Sequence, residues 1–315
     1  MSFSILGFGQ VIWDLTVSVD YRFLKLLSIE KGDHSLVNYR SIEQLLSELT
    51  LTGTKVLKNP GGSCANVMAN LAKLGSKVAF VGKHGDDPNG HLFMKLLKED
   101  GVTPYSIIDQ ERATGQLLSL ITPDKDRTFV VYRGASGFFH PKQIDEQLIK
   151  EAEIVHIGGY LVNSEKALWK IFKNAKKTTF DLSAQSIIKQ TRPHLQKMMK
   201  KYPPEVLFAN IFEGSAFTQS ENEEEIINHM LDFATIAVLT LGERGALVAK
   251  TKENHHYEPG IVTDVADTTG AGDAFCAGFL HSFLKNHDIE KSAKLGNKIA
   301  SKTIRRIGAR SLQLN

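Results

Sequence analysis

The chain has 315 residues, 42% apolar and 23% charged, with a formal net charge of +3. This balance fits a soluble globular enzyme with a large core, and so small and scattered a positive charge argues against a nucleic-acid partner. No apolar run reaches the ~20 residues of a membrane span, and two cysteines, Cys64 and Cys276, without CxxC spacing suit a reducing cytoplasm.

Residues 5–9, Ile-Leu-Gly-Phe-Gly, predict a short apolar strand, and no basic region precedes them as in a signal peptide. Their Gly-x-Gly invites a dinucleotide site, but that fingerprint needs a third glycine and a helix. Here Ile12 takes the third position and 15–19 alternates as a strand does. Asp14 follows the strand end, where ligand groups gather in open α/β sheets, or else forms a turn. A short helix is predicted over 21–31, a strand over 35–39, a helix over 41–49 with Leu45, Leu46 and Leu49 on one face, and a strand over 54–57. The paired Gly61 and Gly62 after Pro60 let backbone lie against a ligand. Helix 67–74 then closes at Gly75. Asn66, at the start of this helix, can bind a diol or act as a cap.

A strand over 77–81 leads to a glycine-containing loop and a helix over 91–99, but no Lys-Ser or Lys-Thr follows the loop and no Walker A motif occurs. Residues 117–122 and 127–133 predict a hairpin around 123–126. With the strands near 15–19, 35–39 and 54–57 it makes a small sheet apart from the main one. From 153 onward, strands over 154–157, 178–182, 206–209 and 236–241 alternate with helices, which argues for a parallel sheet covered on both faces. Asn210 and Glu213 begin at one strand end, where Glu213 suits a helix start. Thr240 and Gly242 lie in a Gly-x-x-Gly turn.

Residues 264–284 carry the strongest signal, a glycine-broken turn running into an apolar helix. Gly270 and Gly272 accept unusual backbone angles and bring no side chain to block a ligand. The first helical amides lack internal partners and sit at the positive end of the helix dipole, which makes an anion site. Asp273 beside that hole repels a phosphate unless it has chemical work, and a carboxylate can accept the proton of an attacking hydroxyl; otherwise it caps the helix.

Asp267-Thr-Thr-Gly-Ala-Gly-Asp273-Ala-Phe275 resembles the second signature of the ribokinase (PfkB) family of carbohydrate and nucleoside kinases. Gly61-Gly-Ser-Cys-Ala-Asn66, followed by Asn70-Leu-Ala-Lys-Leu-Gly75, resembles the first. The resemblance runs through the chain in order and implies an α/β fold, a doubly wound, mostly parallel sheet in one domain over 1–315 with a small β-sheet lid from about 15–60 and 103–135. It implies ATP-dependent transfer of a γ-phosphoryl group to a hydroxymethyl of a furanose sugar or nucleoside. Gly270, Ala271 and Gly272 would form the anion hole, Asp273 would be the base, and Asp14, Gly61, Gly62 and Asn66 would bind the acceptor. Asn210, Thr240 and Gly242 would lie near the nucleotide phosphates, Asn297 and Ala300 would flank adenine, and Glu213 would organise Mg²⁺ through water. Asp267, with 308–310, matches a monovalent-cation (K⁺) position.

The N-terminal third looks like the adenosine-kinase-like branch, although Gln10 stands where adenosine kinases usually carry Asn. Phe8 suits the core, while Trp13 can stack on a ligand or pack. A monomer or homodimer acting on a small molecule in the cytoplasm is expected. The alternative is a catalytically silent nucleotide- or sugar-binding regulatory protein, against which the intact Asp273 and glycine turn argue.

Overall fold

The computed structural model describes residues 3–27, 29–32 and 34–313. The chain enters on β1 (Phe3–Gln10), buried along almost all its length, as a strand inside a sheet covered on both faces must be. Only Val11 separates it from β2 (Ile12–Ser18), so the backbone steps directly from a large sheet into a small one. Next come α1 (Tyr21–Leu26), β3 (His34–Leu36), α2 (Tyr39–Leu51) and β4 (Leu57–Pro60). The helix expected over 21–31 ends at Leu26, and its position 28 lies outside the described residues. The strand expected over 35–39 ends at Leu36, because Asn38 caps α2 by accepting from the Ser41 amide at 3.0 Å. The strand expected over 54–57 lies later, at β4, where antiparallel pairing sets Asn59 opposite Asp14. Pro60 is tolerated there because β4 is an edge strand.

After α3 (Ser63–Lys73), β5 (Val78–Gly85) and α4 (Pro88–Glu99), the chain forms β6 (Thr103–Asp109), β7 (Gly115–Ile121) and β8 (Arg127–Tyr132). β7 and β8 make the expected antiparallel hairpin in the small sheet, ordered β3-β8-β7-β2-β4. The expected lid span of 103–135 is too wide at its start. β6 pairs in parallel with β5 and belongs to the large sheet, and its outward-facing edge hides the apolar run that would betray this. The remainder alternates as expected: α5 (Glu146–Glu151), β9 (Ala152–Gly158), α6 (Glu165–Asn174), β10 (Thr178–Asp181), α7 (Gln185–Lys201), β11 (Val206–Asn210), α8 (Ile211–Thr218), α9 (Glu223–Met230), β12 (Ile236–Thr240), β13 (Gly245–Thr251), β14 (Asn254–Pro259), α10 (Ala271–Asn286) and α11 (Ile289–Thr303).

The large sheet runs β14-β13-β12-β11-β10-β9-β1-β5-β6, parallel from β12 to β6 and antiparallel over β13 and β14. One apolar core joins it to α3, α4, α10 and the inner face of the small sheet, and a second joins it to α5 through α9. This is the doubly wound arrangement. Gly7 and Gly9, which carried the misleading dinucleotide pattern, admit α3 against β1: a Cβ on Gly9 would lie 2.6 Å from Cys64 Cβ, and one on Gly7 2.7 Å from Met68 Cγ. Gly9→Ala should therefore lower stability by about 1–3 kcal/mol through overpacking. A urea unfolding midpoint unchanged from the native protein would show that α3 can yield.

Candidate active site

The parallel strands β1, β9, β10, β11 and β12 all end along one edge of the sheet, which opens into a cavity of ≈770 Å³. Gln10, Asp181, Asn210 and Thr240 line it from strand ends, and Thr16, Leu117, Ser119, Arg127 and Phe129 line it from the small sheet, which forms one wall. Ligands collect at this edge in doubly wound sheets because helices following the strands begin there.

Asp14 lies within β2 rather than in a turn, with its carboxylate pressed on the backbone of Gly61, where any Cβ would collide with it. Gly62 caps α3 at φ +81, and a Cβ on it would meet the Gln10 carbonyl at 2.5 Å; glycine is required here on both counts. Asn66 donates from Nδ2 to Asp273 Oδ2 at 2.9 Å, joining the two helix starts. Its Oδ1 accepts from Arg310 Nε at 2.9 Å, and Arg310 Nη2 donates to the Gly61 carbonyl at 3.0 Å.

Gly270 caps α10 at φ +77 and backs onto Ala309, with no room for a side chain. Gly270 and Gly272 line the cavity, and nothing lies within 4 Å of where a Gly272 Cβ would point. The Ala271 amide, by contrast, donates to the Thr268 carbonyl at 3.1 Å, and Ala271 is not among the cavity's lining residues. Asp273 is the third residue of α10; burial pushes its carboxyl above the ordinary range, against the donors of Asn66 and Ser63 and the charge of Arg310. Asp14 is pushed up to about 7, first by burial and then by Asp273, with Arg310 opposing.

Asp181, at the end of β10, and Glu213, in α8, are both raised by burial, and each repels the other. Ser183 Oγ donates to Asp181 Oδ1 at 2.9 Å from a left-handed backbone (φ 64), a strained conformation of the kind that concentrates at functional sites. Glu213 forms a capping box with Asn210: its Oε2 accepts from the Asn210 amide and its own amide donates to Asn210 Oδ1, both at 2.9 Å. The helix-start role and the cavity-lining role therefore coexist. Among the described residues no group of three or more His, Cys, Asp or Glu side chains that could hold a metal ion occurs.

Residues 31–314 match the pfkB family carbohydrate kinase model. The chain belongs to the pfkB family of carbohydrate kinases. It is 30% identical over 309 residues to an ATP-dependent ribose-1-phosphate kinase of Halopiger xanaduensis, covering 98% of this chain and 94% of that protein. It is also 30% identical over 262 residues to the probable fructokinase-5 of Arabidopsis thaliana, covering 78% and 81%. The crystal structure of adenosine kinase from Sinorhizobium meliloti superposes with a TM-score of 0.89 at 26% identity, covering 99% and 97%. The protein is an ATP-dependent phosphotransferase with an alcohol acceptor, a sugar or nucleoside kinase.

Within this pfkB kinase the cavity unites Gln10, Asp14, Gly62, Asn66, Asn210, Glu213, Thr240, Gly270, Gly272 and Asp273. Other expected residues do not line it. Asn297 spends its amide on the carbonyls of Glu258 and Pro259, at 3.1 and 2.9 Å, and so ties α11 to the β14 end. Ala300 packs against the core, and Gly242 forms an open turn at φ +64. Burial alone would raise Asp267, but Thr269, Gly308 and Arg127 hold it below the usual range, and its oxygens accept from all three. Trp13 donates to the Asn89 carbonyl at 3.0 Å and packs edge-on to Phe93, so it is a core residue like Phe8. Sequence reasoning missed Asp181, whose place at a strand end was a usable signal, and the contacts of Arg310 with Asn66 and Gly61, which its segment 308–310 did not signal.

Two outcomes follow. Gly272→Ala should leave the melting temperature within about two degrees of native yet lower kcat tenfold or more, since its methyl group enters the cavity at the start of α10; steady-state kinetics with parallel calorimetry separate the two effects. Asp14 is raised above its unfolded value of 3.8, so its ionisation destabilises the fold progressively as pH rises from about 4 through 7. Asp14→Asn should therefore melt higher than native at pH 8, with the difference shrinking toward pH 5, while binding acceptor more weakly. A pH-independent difference would contradict the burial argument.

Proposed function

We propose that the protein transfers the γ-phosphoryl group of ATP to a hydroxymethyl group of a sugar or nucleoside, with Asp273 as general base. The observation that carries this reading is the Asp273 carboxylate, anchored by Asn66 at 2.9 Å, in the cavity lined by Gly270 and Gly272 at the start of α10. The acceptor oxygen attacks the γ-phosphorus and loses its proton to Asp273, while the bond from phosphorus to the β–γ bridging oxygen breaks and ADP departs. Amides of Gly270 and Gly272 stabilise charge on the equatorial oxygens. Asp14, Asn66, Gly62 and Gln10 hold the acceptor hydroxyls, supported by the way β2 and the α3 start converge on one end of the cavity; Gly61 stands behind Asp14, outside the cavity lining, with its carbonyl bonded to Arg310. Relatives named for ribose 1-phosphate, fructose and adenosine support an acceptor of this class.

Asn210 and Thr240, at the ends of β11 and β12, serve the nucleotide end. Asp181 and Glu213 would hold a hydrated Mg²⁺, since buried carboxylates raised by neighbouring negative charge gain from a cation. The ion would supply positive charge against that of the nucleotide phosphates. The small sheet excludes water, which otherwise competes as acceptor.

The test is ADP formation from Mg-ATP with nucleosides, free sugars and phosphosugars as acceptors. Acceptor-dependent turnover is expected to fall by on the order of 10²–10⁴-fold in Asp273→Asn. Retention of native rates in that variant would remove Asp273 as the base, and ATP binding without any acceptor-stimulated turnover would defeat the kinase reading. Glu213→Gln should raise the Mg²⁺ concentration for half-maximal activity about tenfold, read from a titration at saturating nucleotide.

A further inference from the structure

Arg310 stands on the C-terminal turn, 244 residues from Asn66 and 249 from Gly61, yet it bonds both. Its side chain is only 8% exposed, and its guanidinium lies 4.9 Å from the centre of the Phe93 ring. Nη1 lies 3.7 Å from Asp100 Oδ2 and has no hydrogen-bond partner, so the group is held here by its other two nitrogens rather than by an ideal ion pair. The turn that carries it is pinned separately: Lys73 Nζ donates to the Arg310 carbonyl at 2.6 Å, and Asn70 Nδ2 to the Ala309 carbonyl at 3.3 Å.

The chemistry of these partners is asymmetric. A guanidinium has donors and no acceptor, and a carboxylate has acceptors and no donor. The Asn66 amide sits between one of each. With Arg310 in place, Oδ1 has to face the guanidinium, so Nδ2 has to face Asp273. Without it, the amide is free to turn and present its oxygen to the carboxylate, which repels. The Arg310 bond to the Gly61 carbonyl also fixes the backbone against which Asp14 rests.

We infer that Arg310 is a positioning residue for phosphoryl transfer, acting through Asn66 to orient Asp273 and through Gly61 to hold the acceptor loop. This rests on the reading of Asp273 as base. Small displacements of a reacting group cost large factors in rate, so Arg310→Met should lower kcat at least tenfold while leaving the KM for ATP within about twofold. Because the orientation of Asp273 passes through Asn66, the Arg310→Met/Asn66→Ala double variant should have a kcat no lower than that of Asn66→Ala alone, the Gly61 contact showing separately in the KM for the acceptor. Arg310→Lys, which keeps one donor, should recover part of kcat. Lys73→Met, which frees the same turn without touching Asn66, should stay near native.

Multiplicative losses in the double variant, or an equal loss in Lys73→Met, would overturn the inference in favour of a merely structural tail. A readout independent of turnover closes the test. In ¹⁵N-asparagine-labelled protein the Asn66 side-chain amide protons should exchange slowly in native and Lys73→Met protein and rapidly in Arg310→Met; slow exchange in Arg310→Met would refute the proposal whatever the kinetics. Failure of the base assignment is seen separately, as native turnover in Asp273→Asn.

Discussion

Four carboxylates, those of Asp14, Asp181, Glu213 and Asp273, line one cavity, and burial drives every one of them toward its neutral form. Confining that much potential negative charge is the constraint to which the surrounding structure responds. The response is largely topological. α8 starts where β11 ends, and the segments after β4 and β14 bring the starts of α3 and α10 to the same cleft, so the positive ends of all three helices face it through their caps at Gly62, Asn210 and Gly270. Arg310 adds a full charge beside Asp14 and Asp273. These fields offset the repulsion only in part, as the raised Asp14 shows, and the remainder favours ligands that bring positive charge.

Close packing turns this field into fixed geometry. Asn66 and Asp273 are separated by 207 residues, yet their side chains meet at 2.9 Å because α3 and α10 pack against each other in one core, α3 on β1 and α10 against Phe208 of β11. Glycine permits the approach at each layer. Gly7 and Gly9 leave space for α3, and Gly278 allows α11 to reach α10, where a Cβ would lie 2.8 Å from the Leu295 carbonyl. Interiors at this density have two-sided intolerance to volume change, so the distance between Asp273 and the Asn66 amide is set by the core rather than by flexible loops.

The parts legible in the sequence were those with a local physical signature. Strand-helix alternation gave the parallel sheet, the glycine-broken turn gave the start of α10 with Asp273 in its first turn, and the paired glycines marked the seat of Asp14. What escaped lacked such a signature. β6 is an edge strand whose exposed face shows no buried run, so its place in the large sheet follows only from pairing with β5, and β4 joins the small sheet as expected but three residues later. Asn297 has a motif-like position but a carbonyl pair within reach that consumes its amide. Arg310 is read in sequence only as part of the 308–310 segment; its contacts with Asn66 and Gly61 arise from tertiary packing.

That last case bears on how the site is assembled. The start of α3 lies at 61–66 and the start of α10 at 270–273, and the turn bearing Arg310 also donates from Gly308 to Asp267 Oδ2 at 3.0 Å and backs Gly270 through Ala309. The C-terminal turn therefore touches both helix starts. The contacts that join Asn66, Asp273 and Arg310 span 207 and 244 residues, so the geometry of the cleft depends on the whole fold rather than on any one segment.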